Sequence, residues 1–134
     1  MMPQIKKKIL IVDDELDVRI YVGTLLETSG YEPISARNGR EGLQKAKQAS
    51  PDLIILDVMM PQAGGVGMYR ELKADRQLSK IPVIMLTGVG ENSFSHYLKM
   101  LRLKIEDPIS QPNAYLEKPL DHEKLLELVR GTIG

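Results

Sequence analysis

Ile9-Leu10-Ile11-Val12-Asp13-Asp14 is the stretch that decides the fold. Four aliphatic residues in a row, stopped abruptly by two acids, read as a short strand buried on both faces, as in a parallel sheet. The same design recurs along the chain. Leu53-Ile54-Ile55-Leu56 stops at Asp57, Pro82-Val83-Ile84-Met85-Leu86 stops at Thr87, and Ala114-Tyr115-Leu116 runs through Glu117 to Lys118-Pro119. Strands are thus predicted over Ile5–Asp13, Tyr31–Ala36, Leu53–Asp57, Ile81–Thr87 and Ala114–Glu117. Helical patterns alternate with them. Leu16, Ile20 (with Val18 nearby), Leu25 and Leu26 give an amphipathic helix over Glu15–Ser29, stopped by Gly30. Others are predicted over Glu41–Gln48, after the Asn38-Gly39 turn and cap, and over Val66–Ala74, after a Gly64-Gly65 loop. A last helix over Asp121–Thr132 has Asp121 as its cap. Alternating β and α units imply a doubly wound α/β domain with helices on both faces of a parallel sheet. Right-handed crossovers favour the flavodoxin-like (βα)5 order 2-1-3-4-5, which sets the ends of strands one and three beside the topological switch point.

Bulk properties agree with one domain over residues 1–134, its core over about 7–132. Eighteen Lys and Arg balance eighteen Asp and Glu, so no basic excess points to nucleic acid or an anionic membrane. Absence of cysteine excludes a disulfide framework, a thiolate metal site and a Cys nucleophile. No apolar stretch reaches the length of a signal peptide or membrane span, so a cytoplasmic protein is expected.

Parallel strands bring their carboxyl ends to one edge. Asp13, Asp14, Asp57, Thr87 and Lys118 then converge there. Taken alone, two acids before a helix would serve as caps, and a lone Thr or Lys would carry no message. Three carboxylates together are another matter, because each close pair costs about 4 kcal/mol at an effective dielectric of about 20. A fold tolerates this when a cation is expected, and an all-oxygen set suits Mg²⁺ better than zinc. A carboxylate at a strand end beside that ion can attack phosphorus and form an acyl phosphate. Thr87 can donate its hydroxyl to a phosphoryl oxygen, and Lys118 supplies a positive charge on a long stem. Pro119 fixes the chain direction after Lys118, through a cis bond if the turn requires it.

These stretches, with Leu56-Asp57-Val58-Met59-Met60-Pro61 and Gly65, Leu86-Thr87-Gly88 and Tyr115-Leu116-Glu117-Lys118-Pro119, resemble the response-regulator receiver domain of two-component signalling over nearly the whole chain. The resemblance implies that Asp57 is the phosphoacceptor. It implies that Asp13, Asp14, Asp57 and the Met59 backbone carbonyl bind Mg²⁺, and that Thr87 and Lys118 contact the phosphoryl group. Tyr115 matches the switch aromatic, which turns inward when the threonine moves; Pro61, Gly65 and Pro119 are structural positions of the motif. The implied donor is a sensor histidine kinase or histidine phosphotransfer protein. The implied readout is the surface of the fourth helix, fifth strand and fifth helix, acting on a downstream protein, on an output domain not in this chain, or in a homodimer. No direct contact with nucleic acid or membrane and no independent substrate turnover are expected.

The chain departs from that pattern in its long 88–113 connection, where Ile109-Ser110-Gln111-Pro112-Asn113-Ala114 replaces the usual approach to the last strand. Phe94, Tyr97, Leu98, Leu101 and Ile105 predict a helix over Ser93–Lys104, followed by an extended loop over Pro108–Pro112. This segment is either a tolerated insertion or a reshaped partner surface. Met59 and Val89 cannot orient water, which predicts a long phosphoryl lifetime. A different reading is a Mg²⁺-dependent phosphohydrolase with Asp57 as nucleophile. Such an enzyme needs an acid two residues later, where Met59 stands, and a substrate cap for which little length is spare. A receiver fold used only for constitutive binding would have no need of all five site residues.

Overall fold

A computed structural model of the chain describes residues 5–61, 64–88 and 112–134. Five strands, β1 (Lys8–Val12), β2 (Glu32–Ala36), β3 (Leu53–Asp57), β4 (Val83–Thr87) and β5 (Ala114–Glu117), form one parallel sheet in the order β2-β1-β3-β4-β5. Among the described residues the α-helices are α1 (Leu16–Thr28), α2 (Gly39–Ala49), α3 (Gly64–Ala74) and α4 (His122–Ile133). The sheet order and the alternation are those expected from the apolar runs. The predicted helix over 93–104 and all of the loop over 108–112 except Pro112 lie outside the described residues.

The apolar runs are buried on both sides because each strand alternates between two cores. Ile9, Ile11, Ile55, Ile84, Leu86 and Leu116 pack with Val22 and Leu26 of α1 and with Leu125 and Val129 of α4. Leu10, Val12, Ile54, Leu56, Val83 and Met85 pack with Ala46 of α2 and with Val66, Met68, Tyr69 and Leu72 of α3.

Caps lie where side chains can reach free helix N–H groups. Asn38 Oδ1 accepts from the Glu41 N–H at 2.8 Å, and Asp121 Oδ1 accepts from the Glu123 N–H at 2.9 Å. Gly30 ends the chain's exit from α1 at φ +94°, a conformation suited to glycine.

Two local expectations are corrected. The core stripe of α1 is Val18, Val22, Leu25 and Leu26, spaced i, i+4, i+7, i+8, whereas Leu16 and Ile20 are 60% and 58% exposed. The helix meets the sheet through the first stripe, so the second faces outward. Gly64-Gly65 is not loop but the first turn of α3. A Cβ at Gly65 would overlap the Asp57 carbonyl oxygen and lie 2.8 Å from Val58 Cα, so only glycine lets the helix start this close to β3.

At the sheet's edge, Asn113 grips β4 twice. Its N–H donates to the Val83 carbonyl at 2.9 Å, and its Oδ1 accepts from the Val83 N–H at 3.0 Å. The ladder of β5 on β4 begins one residue later, with Ala114 opposite Ile84.

Candidate functional site

The edge formed by the ends of β1, β3, β4 and β5 gathers every charged residue that the sequence reading selected. Asp13 follows β1, Asp57 ends β3, Thr87 ends β4 and Lys118 follows β5; all but Lys118 are buried. Asp14 is exposed beside them. One oxygen each of Asp13, Asp14 and Asp57 lies within 4.8 Å of the others.

Lys118 is the hub of the cluster. Its Nζ lies 2.9 Å from Asp13 Oδ2, 3.4 Å from Asp57 Oδ2 and 3.3 Å from Glu15 Oε1. Burial alone would lower the Lys118 pKa, but pairing with Asp13 and the charge of Asp57 more than offset this and raise it. Asp57 is pushed above the ordinary carboxylate range, first by burial. The Met59 N–H, donating to Asp57 Oδ1 at 2.9 Å, opposes this, while Asp13 raises the pKa further and Lys118 lowers it. Asp13 Oδ1 accepts from the Glu15 N–H at 2.9 Å, and its main-chain carbonyl accepts from Arg19 Nη1 at 2.8 Å. Asp13 Oδ2 is buried and, among the described residues, has the Lys118 ammonium at 2.9 Å but no further hydrogen-bond donor.

A buried carboxylate oxygen short of partners, in an all-oxygen set of this spacing, fits a small divalent cation. The same edge offers a nucleophilic carboxylate, a hydroxyl and an ammonium, the parts that phosphoryl chemistry uses. The Lys118-Pro119 bond is cis. Tyr115 is 36% exposed, and the Met59 side chain is 40% exposed with no acid in its place.

Sequence reasoning missed Glu15 and Arg19. Glu15 directly follows the acid pair at the mouth of the site, and that adjacency is the signal that could have found it. Arg19 reaches back six residues from α1 to the Asp13 carbonyl, a contact that spacing alone does not announce.

Lys118→Met should therefore be strongly destabilising without metal. Removing the cation leaves Asp13 and Asp57 buried against each other, a loss of about 3 kcal/mol. Lys118 titrates above its ordinary value, so its contribution is intact at pH 7 and is lost only as pH rises through the folded-state pKa. Urea unfolding at pH 7 in chelator measures the loss, and a midpoint equal to wild type would contradict it.

Comparison with known proteins agrees with this geometry. The sequence profile of the response regulator receiver domain matches residues 9–130. The polar-differentiation response regulator DivK of Brucella anthropi is 32% identical over 129 residues, covering 96% of this chain and 97% of DivK. A probable transcriptional regulator, ycf27 of Cyanophora paradoxa, is 37% identical over 128 residues, which is 96% of this chain but 48% of ycf27. The chain thus spans about half the length of that relative. The Vibrio cholerae chemotaxis protein CheY4 superposes with a TM-score of 0.80 at 30% identity, covering 96% of this chain and 99% of CheY4.

Proposed function

Because the chain belongs to the response regulator receiver family, whose members are phosphorylation-switched signalling modules, we propose that Asp57 is its phosphoacceptor. The observation that carries this is the placement of a buried carboxylate beside a paired lysine and two further acids at one sheet edge. An Asp57 oxygen attacks phosphorus, and the bond to the donor breaks. With a phosphohistidine donor, from a sensor histidine kinase or histidine phosphotransfer protein, the imidazole leaves. Asp13, Asp14, Asp57 and the Met59 carbonyl would hold Mg²⁺, which when bound supplies positive charge to the phosphoryl oxygens. Lys118 moves from the carboxylates to a phosphoryl oxygen, and Thr87 donates its hydroxyl to another. Lys118 reaches that position by a small swing, because Asp57 Oδ2 is already 3.4 Å away.

The readout in this proposal is Tyr115, which turns inward as Thr87 moves and alters the face of β5 and α4 toward a downstream protein, an attached output domain or a second copy. The receiver unit comprises about residues 7–132, with Pro61, Gly65 and Pro119 shaping its loops. It acts in the cytoplasm, does not turn over a separate substrate, and retains its phosphoryl group for long because Met59 and Val89 cannot orient water. Among the described residues no helix is long and apolar enough to cross a membrane.

Incubation with acetyl phosphate, with and without Mg²⁺, followed by intact mass tests the reading. One phosphoryl mass should be gained, dependent on Mg²⁺. No gain with Mg²⁺ present would overturn it.

A further inference from the structure

Tyr69 is a buried phenol for which the phosphoryl chemistry has no use. It is 0% exposed in the middle of α3, in the core that also holds Leu72, Val83 and Met85. The Lys73 ammonium lies 5.4 Å from the centre of its ring, a cation–π distance, and also donates to the Ser79 carbonyl at 3.3 Å. Lys73 thus bridges the ring to the turn after α3 and holds the ring in place. A phenol in this position has one polar end to satisfy, because a buried hydroxyl left alone is costly.

Strand register shows where that end can go. Met85, which belongs to the same core as Tyr69, stands opposite Tyr115 in the β4–β5 ladder. Ala114 and Leu116, on either side of Tyr115, pack on the opposite core with α1 and α4. Tyr115 therefore stands on the Tyr69 face of the sheet. Thr87 is two residues beyond Met85 and shares that face. Tyr115 also acts on Tyr69 electrostatically: after burial, it is what raises the Tyr69 pKa.

We propose that Tyr69 is a positioning residue for the switch, its buried hydroxyl contacting the Tyr115 phenol and holding Tyr115 half-exposed until Thr87 moves. The role of Tyr115 rests on the function proposed above; the contact itself does not. The threshold for Tyr115 to turn is then set from α3, on the side of the sheet away from α1 and α4. Lys73 keeps the Tyr69 ring from following Tyr115 inward, so turning breaks the contact.

Biosynthetic 3-fluorotyrosine reports all five tyrosines by ¹⁹F NMR, assigned with single Tyr→Phe variants. In the unphosphorylated protein, Tyr69→Phe keeps the ring and deletes only the hydroxyl. The Tyr115 resonance should move toward its position in acetyl-phosphate-treated wild type, a change of about fivefold in the ratio of the two orientations. A Tyr115 resonance unmoved by Tyr69→Phe overturns the proposal. If Tyr69→Phe does not fold, the surface change Tyr115→Phe decides, since the Tyr69 resonance must then shift, and an unshifted one overturns the contact. Intact mass on the same wild-type samples separates the two levels. Absence of phosphoryl uptake defeats the function proposed above, whereas uptake with no mutual effect of the tyrosines defeats only this inference.

Discussion

Asp57→Asn is expected to act in two opposite directions: complete loss of phosphoryl uptake and a more stable metal-free fold. The first follows from chemistry, since an amide oxygen has no charge with which to attack phosphorus. The second follows from the site's electrostatics. Burial raises the Asp57 pKa more than the Met59 N–H and Lys118 lower it. Between the ordinary carboxylate value and that raised value, the folded chain binds more protons than the unfolded chain. The stability conferred by the protonated form is therefore full below the ordinary value and is lost as pH rises through the folded-state pKa. Above the folded-state pKa the wild-type chain carries the cost of that buried charge, and asparagine carries none. Lys118 keeps Asp13 at 2.9 Å and Glu15 at 3.3 Å in the variant, so no cation is stranded. The gain should be about 1–3 kcal/mol at pH 7, the range of buried polar changes, and should shrink toward zero below the ordinary carboxylate pKa. Urea unfolding in chelator at the two pH values measures it. A variant less stable than wild type at pH 7 would show that the acids are stabilising as they stand.

Gly65→Ala should lower stability by about 3 kcal/mol, the upper range of overpacking. The added methyl would meet backbone rather than a flexible side chain: the Asp57 carbonyl oxygen, Val58 Cα at 2.8 Å and Asp57 C at 3.0 Å. Relief requires α3 to back away from β3 or the end of β3 to shift, and the latter carries Asp57 with it. Phosphoryl uptake from acetyl phosphate should slow along with the fall in urea midpoint. Gly67→Ala, where a Cβ meets nothing within 4 Å, is the control on the same helix. Equal midpoints for the two alanine variants would refute the account.

The sheet was readable from the sequence because its strands are buried on both sides, so each appears as an unbroken aliphatic run with a polar stop. The stops became the site for the same reason: parallel strands all end at one edge. What could not be read depends on contacts between distant parts. Leu16 and Ile20 satisfy a helical spacing as well as Val18 and Val22 do, and only docking on the sheet chooses between the stripes. Gly64-Gly65 has the composition of a loop, and only the proximity of Asp57 shows why a helix should begin there. Tyr69 reads as one more apolar position on α3; its hydroxyl gains meaning only from the strand opposite.

The two-bond grip of Asn113 on Val83 separates chain length from chain register. The count of ladder positions restarts at that asparagine: however many residues precede it, Ala114 falls opposite Ile84, and Lys118 follows at a fixed distance. The connection between Thr87 and Asn113 can then be lengthened, shortened or rewritten without moving the ammonium relative to Asp57. Sequence can vary in that stretch while the sheet edge keeps its dimensions.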